Sequence, residues 1–349
     1  MLSWELRHHP LFLAYVSLAA VCFFWGTTYL GIRVALESLP PLVLVSLRFT
    51  ISGGLLLAAA LLAGARMPRG RHLLVSAGAG VLSLGVANCC LTFAELLIPS
   101  GLAALIITVS PFWMVGIESL MPGGERLHLP TLLGMLVGLG GSALLVAPGV
   151  TGGVAARGLL KGFLLLQLGS ASWSLGSIYQ RRHSGPVHPL MASAVQQLAA
   201  GLAALPLAAA SVRSARWNFH GAVAVAYLVV FGSIVGYSAY LYALEHLPVA
   251  VVAIYSYVNP VVAVGLGWLF YREPFGVREA AAMLIIFAGV ALVKLSSPRK
   301  RVSLLAEDAR PQSPARSGRH REGQKAHGQR EQQFRRTAQD LQDSLHHLR

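Results

Sequence analysis

Residues 94–111 read AELLIPSGLAALIITVSP, and residues 243–260 read ALEHLPVAVVAIYSYVNP. Ala94, Gly101, Ala104 and Pro111 of the first line up with Ala243, Ala250, Ala253 and Pro260 of the second. The match continues outward at nearly the same shift. Trp25 pairs with Trp173, and the segment ending in Glu125 pairs with the one ending in Glu273. A span of lipid needs about 20 mostly apolar residues in a helix. Ten runs of that kind are present: 11–34, 41–64, 73–97, 101–121, 131–149, 160–180, 189–210, 221–243, 249–271 and 277–296. In lipid the backbone must satisfy itself, so runs of this length read as helices and not as barrel strands. Each copy of the repeat holds five of them. An odd number of spans turns the second copy upside down in the membrane. Inverted repeats are a design of secondary transporters, with the substrate site near the midplane between the halves. Duplication in a non-transporting membrane protein would leave the same trace.

Composition agrees with the runs. Of 349 residues, 55% are hydrophobic and 12% charged, with a mean hydropathy of +0.60. A soluble domain has roughly 25% charged residues, so a single soluble domain is excluded. The formal charge of +14 divides into +8 over residues 1–296 and +6 over 297–349. In a soluble protein a pI near 10.3 would point to nucleic acid. Here the basic residues lie between apolar runs, as in cytoplasmic membrane loops, and no nucleic-acid partner is expected. With a cytoplasmic N-terminus, Arg7, Arg66, Arg69, Arg71, Arg126, Arg181 and Arg182 all fall inside. Arg157, Lys161, Arg213, Arg216, Arg272 and Arg278 then fall outside, against the rule. Both termini are still expected to be cytoplasmic. Cys22, Cys89 and Cys90 sit within apolar runs and imply no disulfide framework. The first run is too long for the apolar core of a secretory signal and has no clear cleavage site after it.

The expected organisation is all-α and integral to the membrane. Residues 1–149 form one five-helix repeat, 150–296 a second, and 297–349 a basic, largely disordered cytoplasmic tail. Within the tail, Phe334, Ala338, Leu341, Leu345 and Leu348 fall on one helical face beside Arg335 and Arg336. That stripe fits either an amphipathic helix on an anionic leaflet or chance spacing in a floppy tail.

Enzyme signatures are missing. No GxxxxGK[ST] loop, GxSxG elbow or metal-ligand spacing occurs. No cofactor, metal or catalytic group is expected. His8–His9 and His346–His347 lie in solvated ends. The pairs Gly134/Gly138 and Gly232/Gly236 read as close helix packing.

Polar groups inside spans are costly and are the candidates for function. Arg48 lies about 10 Å below the outer edge of the second run, at 1.5 Å per residue. Asn88, Thr92 and Glu95 share one face of the third run, with Glu95 near its outer end. Arg33, Arg48 and Glu95 are therefore expected to meet in the outer half. Glu95 reads as a proton-coupling carboxyl, as the fixed partner of Arg48, or as a group among the headgroups. Glu118 reads as interfacial, and Glu125, Arg126 and Glu273 as groups that fix loops. The second copy offers aromatics: Ser233, Tyr237 and Tyr240 on one face, Tyr255 and Asn259 on another, with Asn259 before Pro260. Pro111 and Pro260 lie at matching depths from opposite sides, and a proline frees a carbonyl of its own helix. Trp25 and Trp173 lie well inside their runs, away from the interfacial belts. One at a time, these rings read as packing. Together they suit a small amphiphilic organic solute better than a bare ion.

These residues carry a family resemblance. Trp25-Gly26-Thr27-Thr28-Tyr29, Pro40-Pro41 with Arg48-Phe49, Ala94-Glu95 with Pro99-Ser100-Gly101, and Ser110-Pro111 occur in order. Gly124-Glu125-Arg126, Ser172-Trp173 with Gly176-Ser177, Tyr255 through Pro260, and Arg272-Glu273 follow. Over residues 11–296 the chain resembles the drug/metabolite transporter superfamily, specifically tandem EamA-domain carriers of bacterial inner membranes. The resemblance implies ten helices in two inverted halves, alternating access around a central cavity, and movement of metabolites or amino acids, often export. It implies transport roles for Trp25, Arg48, Glu95, Trp173, Tyr255 and Asn259. Some relatives carry an acidic residue in the seventh helix where this chain has Gln196, followed by Gln197. Coupling to protons then falls to Glu95 or is absent.

The expected function is a secondary transporter in the bacterial inner membrane that exports a small organic metabolite by alternating access. Trp25, Arg48, Asn88, Glu95, Trp173, Gln196, Tyr237, Tyr255 and Asn259 are the candidate substrate-binding or coupling residues. The rival is a non-transporting membrane sensor or scaffold whose basic tail binds a partner. Oligomeric state, coupling ion and substrate identity stay open.

Overall fold

The computed structural model describes residues 10–123, 128–151, 153–183, 185–247, 249–252 and 255–296. Among them every apolar run forms helix and no strand occurs. Helix α1 spans Pro10–Leu36, α2 Pro41–Leu62, α3 Arg71–Glu95 and α4 Ser100–Leu120. Helix α5 spans Leu129–Thr151, α6 Gly153–His183, α7 Pro189–Ser211 and α8 residues 219–246. A helical turn at Val249–Val252 precedes α9, Tyr255–Tyr271, and α10 spans Val277–Ser296. Pro41 and Pro189 open α2 and α7, where a missing N–H breaks no helical bond. Asn218 starts α8 by accepting from the Gly221 amide at 2.7 Å. The motif Gly124-Glu125-Arg126, Ala253, residues 1–9 and the whole tail with its apolar stripe lie outside the described residues.

By length and composition six of the described helices can cross a membrane: α1, α2, α3, α4, α7 and α8. The outer surface suits lipid. Leu62, Leu120 and Val277 are 87–89% exposed, and a large apolar exterior of this kind marks a membrane or partner face.

The packing follows the repeat. Adding five to each helix number maps the contact α1–α8 onto α6–α3, α1–α9 onto α6–α4, and α2–α8 onto α7–α3. The contacts α2–α7, α4–α9 and α5–α10 map onto themselves. Weak similarity in sequence has become a two-fold pattern of neighbours. Between α5 and α10 small residues allow the close approach that the GxxxG spacing predicted. A Cβ built at Gly289 would lie 2.4 Å from the Gly138 nitrogen.

Three irregularities position the site. Helix α3 passes through a π-helical stretch at Val81–Val86, and α8 through one at Leu228–Val235. The two stretches occupy corresponding places in the two copies. A π stretch frees carbonyls from the helical ladder, and such turns cluster at functional sites. Helix α4 breaks at Thr108 and Val109, and Pro111 sits in the first turn of its second half. Pro260, its sequence counterpart, lies inside the continuous helix α9. The matched prolines therefore do different work: one starts a helix segment, the other only removes one bond from a helix.

Candidate functional site

Carbonyls in the π stretch of α8 accept from side chains of other helices. The Trp25 indole N–H of α1 donates to Gly232 O at 3.1 Å, and the Gln197 amide of α7 donates to Ser233 O at 3.2 Å. In α3 the carbonyl of Leu82 accepts from the Ser172 hydroxyl of α6 at 2.8 Å. Each π stretch is thus tied to the first helix of the opposite repeat.

Around Trp25 the structure gathers four aromatic rings, making a cluster of five. Its ring centroid lies 5.0 Å from Tyr240, 5.2 Å from Tyr255, 5.8 Å from Trp173 and 6.5 Å from Tyr237. The pairs with Trp173 and Tyr255 are edge-to-face, a geometry the aromatic quadrupole favours. One copy contributes Trp25, and the other contributes the remaining four rings. Tyr237 donates its hydroxyl to Gln196 Oε1 of α7. The Asn259 amide, with its nitrogen facing α1, donates to Cys22 O at 2.9 Å and to Tyr255 O at 3.1 Å. It therefore links α9 to α1 one residue before Pro260.

Arg48 of α2 is buried beside this cluster, 7% exposed. Its Nε donates to Ser233 Oγ at 2.8 Å, and its guanidinium lies 4.9 Å from the Phe49 ring centroid. A Cβ at Gly232 would meet Arg48 Nη2 at 2.9 Å, and one at Gly236 would meet Trp25 Nε1 at 2.6 Å. This glycine pair makes room for site side chains, where the sequence suggested only helix packing. Below Ser233 the polar seam continues. Ser52 donates to Gln197 Oε1 at 2.5 Å, and Gln197 Nε2 donates to Ser193 Oγ at 3.1 Å.

Glu95 sits elsewhere. It is fully buried, which excludes the headgroup reading, and neither carboxylate oxygen has a hydrogen-bond partner among the described residues. Arg33 donates to the Glu95 backbone carbonyl and not to its carboxylate. Arg33, Glu273 and Tyr29 are the ionisable groups near enough to feel its charge. The expected meeting of Arg48 with Glu95 does not occur. Arg48 points to α8, while Glu95 faces α1 and the link after α9. Glu273 of that link caps α4. It accepts from Ser100 N at 2.8 Å, Ser100 Oγ at 2.9 Å and Gly101 N at 2.9 Å. A carboxylate suits the positive end of a helix, and here it joins the two repeats.

The remaining candidates are more local. Asn88 donates to Leu84 O within its own helix at 2.8 Å, and among the described residues its side chain bonds to no other helix. Glu118 accepts from Arg181 and Arg182, and Arg182 also donates to Pro122 O, which ties the end of α4 to the end of α6. A cavity of about 220 Å³ between α6, α7 and α8 is lined by Gln180, Gln196 and Leu241. Gln180 Oε1 is buried without a partner among the described residues. A second cavity, about 250 Å³, lies against Pro99, Glu273 and Arg278. The sequence reading did not single out Gln180, Ser52 or Ser193. Lone polar residues on apolar runs carry no spacing that would have marked them.

Comparison with known proteins places this architecture. Residues 12–147 and 160–295 each match the EamA-like transporter family. An inner membrane transporter of Escherichia coli K12, YedA, described as uncharacterized, is 36% identical over 293 residues, 83% of this chain and 93% of that protein. The uncharacterized transporter YvbV of Bacillus subtilis is 26% identical over 82% of this chain and 93% of its own length. A probable amino-acid metabolite efflux pump of E. coli K12 is 29% identical over 45% of this chain and 50% of its own. A protein of known crystal structure superposes with a TM-score of 0.58 at 23% identity, over 81% of this chain and 97% of that one. At that identity the likeness shows the fold alone. With both halves matched and most of the chain aligned, this protein belongs to the EamA-like transporter family, a family of transporters and not of enzymes.

Proposed function

We propose that the protein is a ten-span secondary transporter of the bacterial inner membrane that exports a small amphiphilic organic metabolite by alternating access. Its two five-helix repeats, residues 1–149 and 150–296, are inverted relative to one another, and both termini face the cytoplasm. The observation that carries this reading is the ring cluster with Arg48 at its side, built by helices of both repeats around the α8 π stretch. A site shared by two repeats changes shape when they rock against each other, which is what alternating access requires. Only a difference in affinity between the two states can drive such motion. The efflux description of a relative supports export. Gln196 opens onto the cavity between α6, α7 and α8 and binds Tyr237 of the cluster, so that cavity is one approach to the site. Glu95, buried and unbonded, is the group that couples transport to protons.

The test is flux in proteoliposomes with an imposed proton gradient. Arg48→Ala and Glu95→Gln should each abolish net transport while leaving folded protein in the membrane. Wild-type flux from both would overturn the assignment. Full flux after removal of residues 298–349 is also expected, because the site lies outside the tail.

A further inference from the structure

We infer that the site takes a small organic monocarboxylate, with its carboxylate held by Arg48 and its apolar or aromatic body held by the rings around Trp25. The inference rests on the central-site reading above and names the charge class of its substrate. Arg48 and Glu95 are the two charged side chains that the described residues bury, and they do not pair. Among the described residues no carboxylate lies within ion-pair distance of Arg48. A buried charge without a counter-charge is costly, so the complement the site lacks is an anion.

The geometry narrows the anion further. Ser233 Oγ accepts the hydrogen bond of the Arg48 Nε–H. The two terminal nitrogens remain, and their parallel N–H bonds fit the two oxygens of a carboxylate. One guanidinium matches one negative charge. Arg48 and Trp25 both press on Gly232, so a ligand held at Arg48 reaches the rings within a few bonds. Among the described residues no carboxylate is bonded to any of the five ring residues, so the cluster offers no fixed anion to a ligand ammonium. The site thus favours an acid over an amine of the same shape.

The test uses the full chain in detergent and three probes of one shape: 3-phenylpropionate, 3-phenylpropanol and 3-phenylpropylamine. Calorimetry at one pH and ionic strength gives each Kd. The acid should bind about tenfold tighter than either partner, the scale of a charge-assisted bidentate contact. Arg48→Gln should erase that preference and keep the affinity for the alcohol. Arg48→Lys, which keeps the charge but loses the fork, should lose most of it and guards against misfolding of the first variant. Gly232→Ala, whose Cβ intrudes on Arg48 Nη2, should act in the same direction. An acid that binds no tighter than the amine in the wild type overturns the inference. So does a preference that survives in Arg48→Gln and Arg48→Lys. If alcohol and amine bind equally and both are lost in Trp25→Ala, the charge class fails and the central site stands. If the acid binds tightly and ignores both Arg48→Gln and Trp25→Ala, the central site itself fails.

Discussion

Arg48 and Glu95 carry opposite charges, are both buried, and live in different surroundings. Arg48 is held in a polar seam of α2, α7 and α8, where Ser233, Gln197, Ser52 and Ser193 bond to one another. Among the described residues Glu95 has no bond to either oxygen, although Arg33 and Glu273 lie near. The seam gives the cation one place and one orientation. Buried polar atoms are almost always bonded, and among the described residues this carboxylate is an exception. Two charges at similar depth in a sequence need not form a pair. One of these is oriented by a hydrogen bond to a neighbouring helix, and the other has none among the described residues.

The sharpest break of this contrast is Arg48→Leu. It should lower stability in detergent by about 2–3 kcal/mol, because the Ser233 hydroxyl loses a charged partner in a buried seam. Glu95→Leu should move the other way. Removing a carboxylate that has no bond should raise stability by about 1–3 kcal/mol, with net transport lost. Thermal or denaturant unfolding of the purified variants reads both signs. Equal destabilisation would mean that Glu95 has a partner and that the contrast is false. Glu273→Ala removes the cap on α4 and the link between repeats. It should cost about 1–2 kcal/mol, the range for a charged helix cap, on the same unfolding assay. Asn88→Ala should do least, under about 1 kcal/mol, because its one bond is to a carbonyl of its own helix. A large transport defect in a stable Asn88→Ala would return Asn88 to the site.

Much of this fold could be read from hydropathy. Among the described residues every apolar run became helix, most within a few residues of the expected ends, because length and apolarity are one-dimensional properties; the sixth helix instead starts at Gly153, seven residues early, and the ninth at Tyr255. The repeat was legible in Trp25/Trp173 and Pro111/Pro260, and the helix contacts follow it. The shared depth of Trp25, Trp173, Tyr237, Tyr240 and Tyr255 correctly suggested one cluster. The π stretches were not legible, since Val81–Val86 and Leu228–Val235 are apolar in either helix type. The difference between Pro111 and Pro260 was hidden too. Proline marks a lost bond but does not say whether the helix stops there.

The sequence by itself determined a membrane chain of repeated helices and the position of each polar group along its helix. Those follow from composition, spacing and a fixed rise per residue. Only the tertiary structure decided which groups face one another. It sent Arg48 to Ser233, left Glu95 unbonded, and set Glu273 on the first turn of α4. The reason is rotational. Depth along a helix is set by residue number, but the direction a side chain points depends on which helix packs beside it and on each π turn that resets the register.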